Sequence, residues 1–174
     1  MKKNILLLIL LIVSVSSCGY TTKSALPGHL NTVYVEAFEN KISYTSSVGR
    51  RNLYFPLLEV DVRDAVIDRY LFDGNLKITE EDNADLILQG ILQSYSRTEL
   101  RKDDNDDVEE YRIYVTMKLQ LIDTKYQSVM WSQNITGETT YFVTGASAST
   151  EESAVEEAIE DLARRIVEKT IENW

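Results

Sequence analysis

Cysteine is nearly missing from this 174-residue chain, where Cys18 stands alone. No internal disulfide can form, so any fold must rest on its own core. There is a single histidine, His29, and no second histidine or cysteine with which to build a tetrahedral nitrogen–sulfur zinc site. Two prolines and seven glycines leave little room for long disordered linkers. Basic residues are also short, 18 against 28 acidic for a net charge of −10, which argues against nucleic acid and against a broadly basic membrane-binding surface. The one long apolar run, Ile5 to Val13, is too short for the roughly 30 Å hydrocarbon core, which takes about 20 residues. Neither a glycine-rich phosphate loop nor a Gly-x-Ser-x-Gly elbow occurs. Carboxylates abound, but abundance on an acidic surface does not single out a general acid–base pair. The expectation is a non-enzymatic protein with no cofactor and no metal, with His29 an ordinary loop histidine.

What is present begins at the N-terminus. Lys2 and Lys3 precede the apolar run, and small residues follow it, the layout of a secretory signal. Val15-Ser16-Ser17-Cys18 resembles a bacterial lipobox, in which cleavage leaves the cysteine first and acylated. Two or more acyl chains anchor stably, each buried methylene contributing about 0.8 kcal/mol. Residues 1–17 thus read as a lipoprotein signal peptide, 18–28 as a lipidated tether and 29–174 as one domain large enough to bury a real core. Without its two signal lysines the chain has 16 basic and 28 acidic residues, a balance of −12. Gly19, where an aspartate would retain a lipoprotein at the inner membrane, resembles the pattern of those sent on to the outer membrane.

Hydrophobic periodicity then organises residues 29–174. Val33, Val35 and Ala37 alternate along Thr32–Phe38 as a first strand. Pro56 precedes Leu58, Val62, Ala65, Val66 and Tyr70 at helical spacing, and Gly74 suits a left-handed C-cap. Leu86, Leu88, Gly90 and Leu92 alternate in a strand reaching about Leu100, and Ile113 to Leu121 alternate in another. Asp103-Asp104-Asn105-Asp106-Asp107 lies between them, so the two strands read as a long antiparallel hairpin. That tip has the Asp-x-Asn-x-Asp spacing of a calcium loop, but Val108 stands where glycine is needed and Tyr114 where the bidentate glutamate belongs, so it reads as a solvated turn. Val129, Trp131 and Ile135 mark a strand to about Thr140. Ser149-Thr150-Glu151-Glu152 has the form of a capping box before the stripe Val155, Ile159, Leu162, Ile166 and Val167, a helix reaching toward Trp174. The order β-α-β-β-β-α predicts an α+β two-layer sandwich, a four-stranded, mostly antiparallel or mixed sheet with two helices on one face.

On the strands' other parity, Arg112, Tyr114, Thr116, Lys118 and Gln120 line one strand, and Gln89, Ile91, Gln93, Tyr95 and Arg97 its neighbour. A sheet face left to water looks like this. So does a docking surface, since tyrosine and arginine are favoured at interfaces. Arg97, Arg112, Tyr114 and Lys118 are therefore candidate contacts, the cations being able to meet a phosphate of an acyl-sugar ligand.

Cys18-Gly19-Tyr20, Val35-Glu36-Ala37-Phe38-Glu39-Asn40, Asp73-Gly74, Ala84 to Gly90, Ser94-Tyr95-Ser96-Arg97-Thr98, Gly137 to Phe142 and the Glu-rich last helix, in that order, resemble the LptE family of lipopolysaccharide-assembly lipoproteins. The resemblance covers most of residues 18–174. It implies an outer-membrane lipoprotein held by lipid on Cys18 at the periplasmic side. Such a protein would plug an LptD-like β-barrel, assist the barrel's assembly and help lipopolysaccharide reach the outer leaflet. The alternative on the same fold class is a lipid-anchored activator of a peptidoglycan synthase, resembling LpoB; a lipid-anchored hydrolase centred on His29 is a further rival.

Overall fold

The computed structural model describes residues 26–42 and 56–172. The signal peptide, Cys18 and most of the expected tether lie outside the described residues, as does Trp174. Among the described residues, six strands and two α-helices are formed, with a 3-10 turn at Glu81–Asn83: β1 (Thr32–Val35), β2 (Glu39–Asn40), α1 (Leu58–Asp73), β3 (Lys77–Ile78), β4 (Leu86–Lys102), β5 (Val108–Asp123), β6 (Ser128–Phe142) and α2 (Glu151–Glu172). The sheet runs β3-β1-β4-β5-β6, with β2 pairing farther along β4. β1 lies parallel to β3 and β4, whereas β4, β5 and β6 form an antiparallel meander. Both helices cover one face, so the α+β sandwich stands as expected, with six strands where four were predicted. The additions are two-residue strands, too short to show a period.

The first strand also differs in detail. It breaks after Val35, and Phe38 is buried in place of the exposed Ala37. Gly90 on β4 makes this possible. A Cβ there would lie 2.6 Å from the Phe38 ring and 2.9 Å from the Met117 methyl. The aromatic side chain takes the volume that a side chain at position 90 would fill.

α1 buries Leu58, Val62, Val66 and Tyr70, the expected stripe. Gly74 closes it at φ 76°, its N–H donating to the Tyr70 carbonyl at 3.0 Å. Tyr70 is wholly buried, and its hydroxyl donates to Thr170 Oγ1 at 2.9 Å across the two helices. The pair satisfies two polar groups that would otherwise be costly in a core. α2 is capped by Thr150, whose Oγ1 accepts from the Ser153 N–H at 3.1 Å. The cap thus falls one residue later than the box at Ser149 implied. α2 crosses β6 closely at Gly137, where a Cβ would stand 2.2 Å from the Ala158 carbonyl oxygen.

A candidate docking face and its internal latch

β5 keeps strict alternation. Ile113, Val115, Met117, Leu119 and Leu121 are fully buried beneath the helices. Arg112, Tyr114, Thr116, Lys118 and Gln120 therefore share the opposite, outward face, as their spacing predicts. β6 continues that face, with Tyr114 opposite Glu138, Thr116 opposite Thr136 and Lys118 opposite Asn134. The two threonine hydroxyls are 2.9 Å apart and hydrogen-bonded. Arg112 is held above the ordinary arginine range, first by its hydrogen bond with Tyr114 and then by that residue's charge. On the other side Gln89 stands opposite Gln120 and Ile91 opposite Lys118. A recess of about 240 Å³ opens here, lined among others by Glu36, Gln89, Ile91, Lys118, Gln120 and Ser132. The face is polar, broad and built on paired strands rather than loops.

Tyr95 and Arg97 are not on it. Up to Leu92, β4 pairs one residue to one with β5, but Leu92 faces Met117 and Ser94 faces Thr116, leaving Gln93 as an extra residue. A bulge of this kind moves every later side chain to the other face. Tyr95 and Arg97 fall opposite Val115 and Ile113, on the helix side. There they meet the start of α2. The Tyr95 hydroxyl donates to Glu151 Oε1 at 2.5 Å, and Arg97 Nη1 donates to Glu151 Oε2. The Tyr141 hydroxyl adds a bond to the same carboxylate at 3.3 Å. The Arg97 guanidinium lies over the Tyr111 ring at 4.4 Å, and Tyr111 stacks on Tyr141 at 5.7 Å. Burial first, and the Glu151 carboxylate second, push the Tyr95 phenol far above its ordinary range. Arg97, expected as a free surface cation, is thus committed to a latch that ties the hairpin to the helix layer.

His29 also has a structural post. Its Nε2 lies 3.0 Å from Oδ2 of Asp123, a buried carboxylate at the β5–β6 turn. Beside it, Asp85 accepts the backbone N–H groups of Asn31 at 2.8 Å and Thr32 at 3.0 Å. Burial pushes both carboxyls up, but the Asn31 and Thr32 bonds outweigh it at Asp85, as His29 and the Tyr126 N–H (3.0 Å) do at Asp123, and both are held below the usual range. Two aspartates thus clamp the start of β1 onto the sheet. At the other end of the hairpin, Asp103 accepts the N–H groups of Asn105 at 2.8 Å and Asp107 at 2.9 Å. Its carboxylate is turned into its own loop, as a solvated turn requires.

A family model, "LptE: Lipopolysaccharide-assembly", matches residues 30–170. The chain belongs to the LptE family. Its fold resembles that of a Xanthomonas campestris protein at 14% identity and TM-score 0.57, over 85% of this chain and 88% of that one. A hypothetical protein of Chlamydia trachomatis aligns at 11% identity and TM-score 0.57, over 81% and 95%. A minor lipoprotein of Acinetobacter baumannii aligns at 14% identity and TM-score 0.50, over 82% and 93%. At these identities the likeness speaks for the fold alone. No curated protein matches.

Proposed function

We propose that this LptE-family chain is a non-enzymatic, lipid-anchored subunit of lipopolysaccharide assembly at the outer membrane, and that its outward sheet face seats it as a plug in an LptD-like β-barrel. The observation that carries the reading is the outward face itself. Gln89, Lys118, Gln120, Asn134, Thr116 and Thr136 stand on consecutive paired strands. A wide barrel lumen is polar, and a polar sheet stiffened by its ladders can fill it without the ordering cost of loops. An acylated Cys18 would raise the local concentration of plug beside barrel. No bond is made or broken in this role. Arg112 and Lys118 are the cations left on this face for a phosphate group of lipopolysaccharide; Arg97 is not, because Glu151 holds it on the helix side.

Site-specific photocrosslinking in cells tests the reading. A crosslinker at Gln120 or Thr116 is expected to capture a β-barrel protein at near-equal stoichiometry, and one at the exposed Glu156 of α2 is not. Capture of a peptidoglycan synthase from the sheet positions would establish the activator role instead. Capture of the barrel from α2 alone would move the interface to the helix layer.

A further inference from the structure

One end of the domain carries exposed apolar side chains around the point where the chain enters the fold. α1 ends there with Leu71 62% and Phe72 81% exposed, and the β5–β6 turn presents Tyr126 at 62%. The end of α1 and Tyr126 lie at the same end of the sheet as residues 29–32. The segment after α1 returns to the sheet through Lys77, whose N–H donates to the Asn31 carbonyl at 2.9 Å. The edge of the Tyr126 ring meets His29 with centroids 5.4 Å apart. Each exposed aromatic carries a cation, Arg69 over Phe72 at 5.3 Å and Lys125 over Tyr126 at 5.3 Å. An apolar ring with a basic group at its rim is the chemistry of a side chain placed at a headgroup boundary.

The length of chain before this end says what covers it. Only seven residues lie between Cys18 and Leu26, the first described residue, so eight Cα steps join the two. Fully extended they reach about 28 Å, so an acylated Cys18 keeps this end within that distance of the bilayer. The hairpin tip lies at the far end of β4, roughly 50 Å away along a strand of 17 residues. We propose that, in the lipoprotein not yet bound to a barrel, this end rests on the lipid surface, with Leu71, Phe72 and Tyr126 entering the interfacial region. The inference rests on the acylation of Cys18. Glu80, Glu81 and Asp82 lie near the same end and offset Lys77, Lys125 and Arg69. Apolar burial rather than attraction to anionic headgroups therefore drives the contact.

The test uses the acylated full chain in vesicles of phosphatidylethanolamine and phosphatidylglycerol. Nitroxide labels are placed at Asn75→Cys, beside Phe72, and at Asn105→Cys on the hairpin tip. The ratio of collisions with oxygen to collisions with a water-soluble nickel chelate is expected to be several-fold higher at position 75. Replacing Leu71, Phe72 and Tyr126 by serine, all three being exposed, is expected to lower that ratio to the tip's value while circular dichroism stays unchanged. Equal ratios at the two sites in the parent chain would overturn the proposal. So would exclusion of both collision partners at position 75, which would mean that a second copy or another protein segment covers it. A chain that fails to float with the vesicles and lacks acyl mass would remove the anchor and the inference together, and that outcome is read separately from the label ratios.

Discussion

The two halves of β4 make the sharpest contrast in the molecule. From Leu86 to Leu92 the helix side carries Leu86, Leu88, Gly90 and Leu92, three leucines with no exposed surface and a glycine that admits Phe38. From Ser94 onward the same side carries Tyr95 and Arg97, which close on Glu151 through charged hydrogen bonds. One inserted residue, Gln93, separates the two regimes. The near half is held by apolar burial, which is non-directional. The far half is held by a directional polar cluster, which stabilises less once desolvation is charged against it but specifies where α2 begins.

The largest expected effect comes from breaking the near half. Leu88→Ala removes a fully buried side chain and should cost about 3 kcal/mol, read as a lower denaturant midpoint at unchanged slope. The far half should yield less. Glu151→Ala leaves Arg97 and two tyrosines without their shared acceptor and is expected to destabilise by roughly 2 kcal/mol. Deleting Gln93 tests the cause of the contrast. It removes the extra residue, so Ser94 follows Leu92 in simple alternation while Tyr95 and Arg97 stay opposite Val115 and Ile113; the cost of Glu151→Ala is expected to be unchanged in a double-mutant cycle, and a lost cost would mean that the bulge itself shapes the latch.

Acid should act at the base of the near half among other places. The carboxyls of Asp85 and Asp123 sit below their ordinary value of 3.8 in the fold. Their contribution is therefore fully present above that value and is lost as pH falls through the lower folded values. Asp85→Asn should flatten the stability profile below pH 4 in a denaturant series, and an unchanged profile would assign the acid sensitivity elsewhere. Charge reversal at Arg112 and Lys118 should have the smallest effect on stability, within about 0.5 kcal/mol. The same pair should weaken binding to the barrel if the outward face is the interface.

Much of this was legible in residue order. The stripe from Leu58 to Tyr70, the cap at Gly74, the alternation of β5 and the stripe of α2 each repeat a period long enough to overrule chance, and each appears as predicted. The change of face in β4 left a weaker trace. Leu92 is followed by polar residues at 94 and 96, while Tyr95 takes up the apolar role three positions on. A change of phase in so few residues is hard to tell from a strand end. Past the end of β1 the alternation is likewise lost, and Phe38 rather than Ala37 is buried.

Residue order by itself determined the fold class, the long hairpin, the outward placement of Arg112, Tyr114 and Lys118, and the family, because period and order are local properties that survive any tertiary arrangement. Tertiary structure alone decided that Arg97 belongs to a latch, that His29 answers a buried Asp123 94 residues away, and that six strands join one sheet. Each of those outcomes depends on which distant backbone supplies a partner, and no spacing along the chain encodes that.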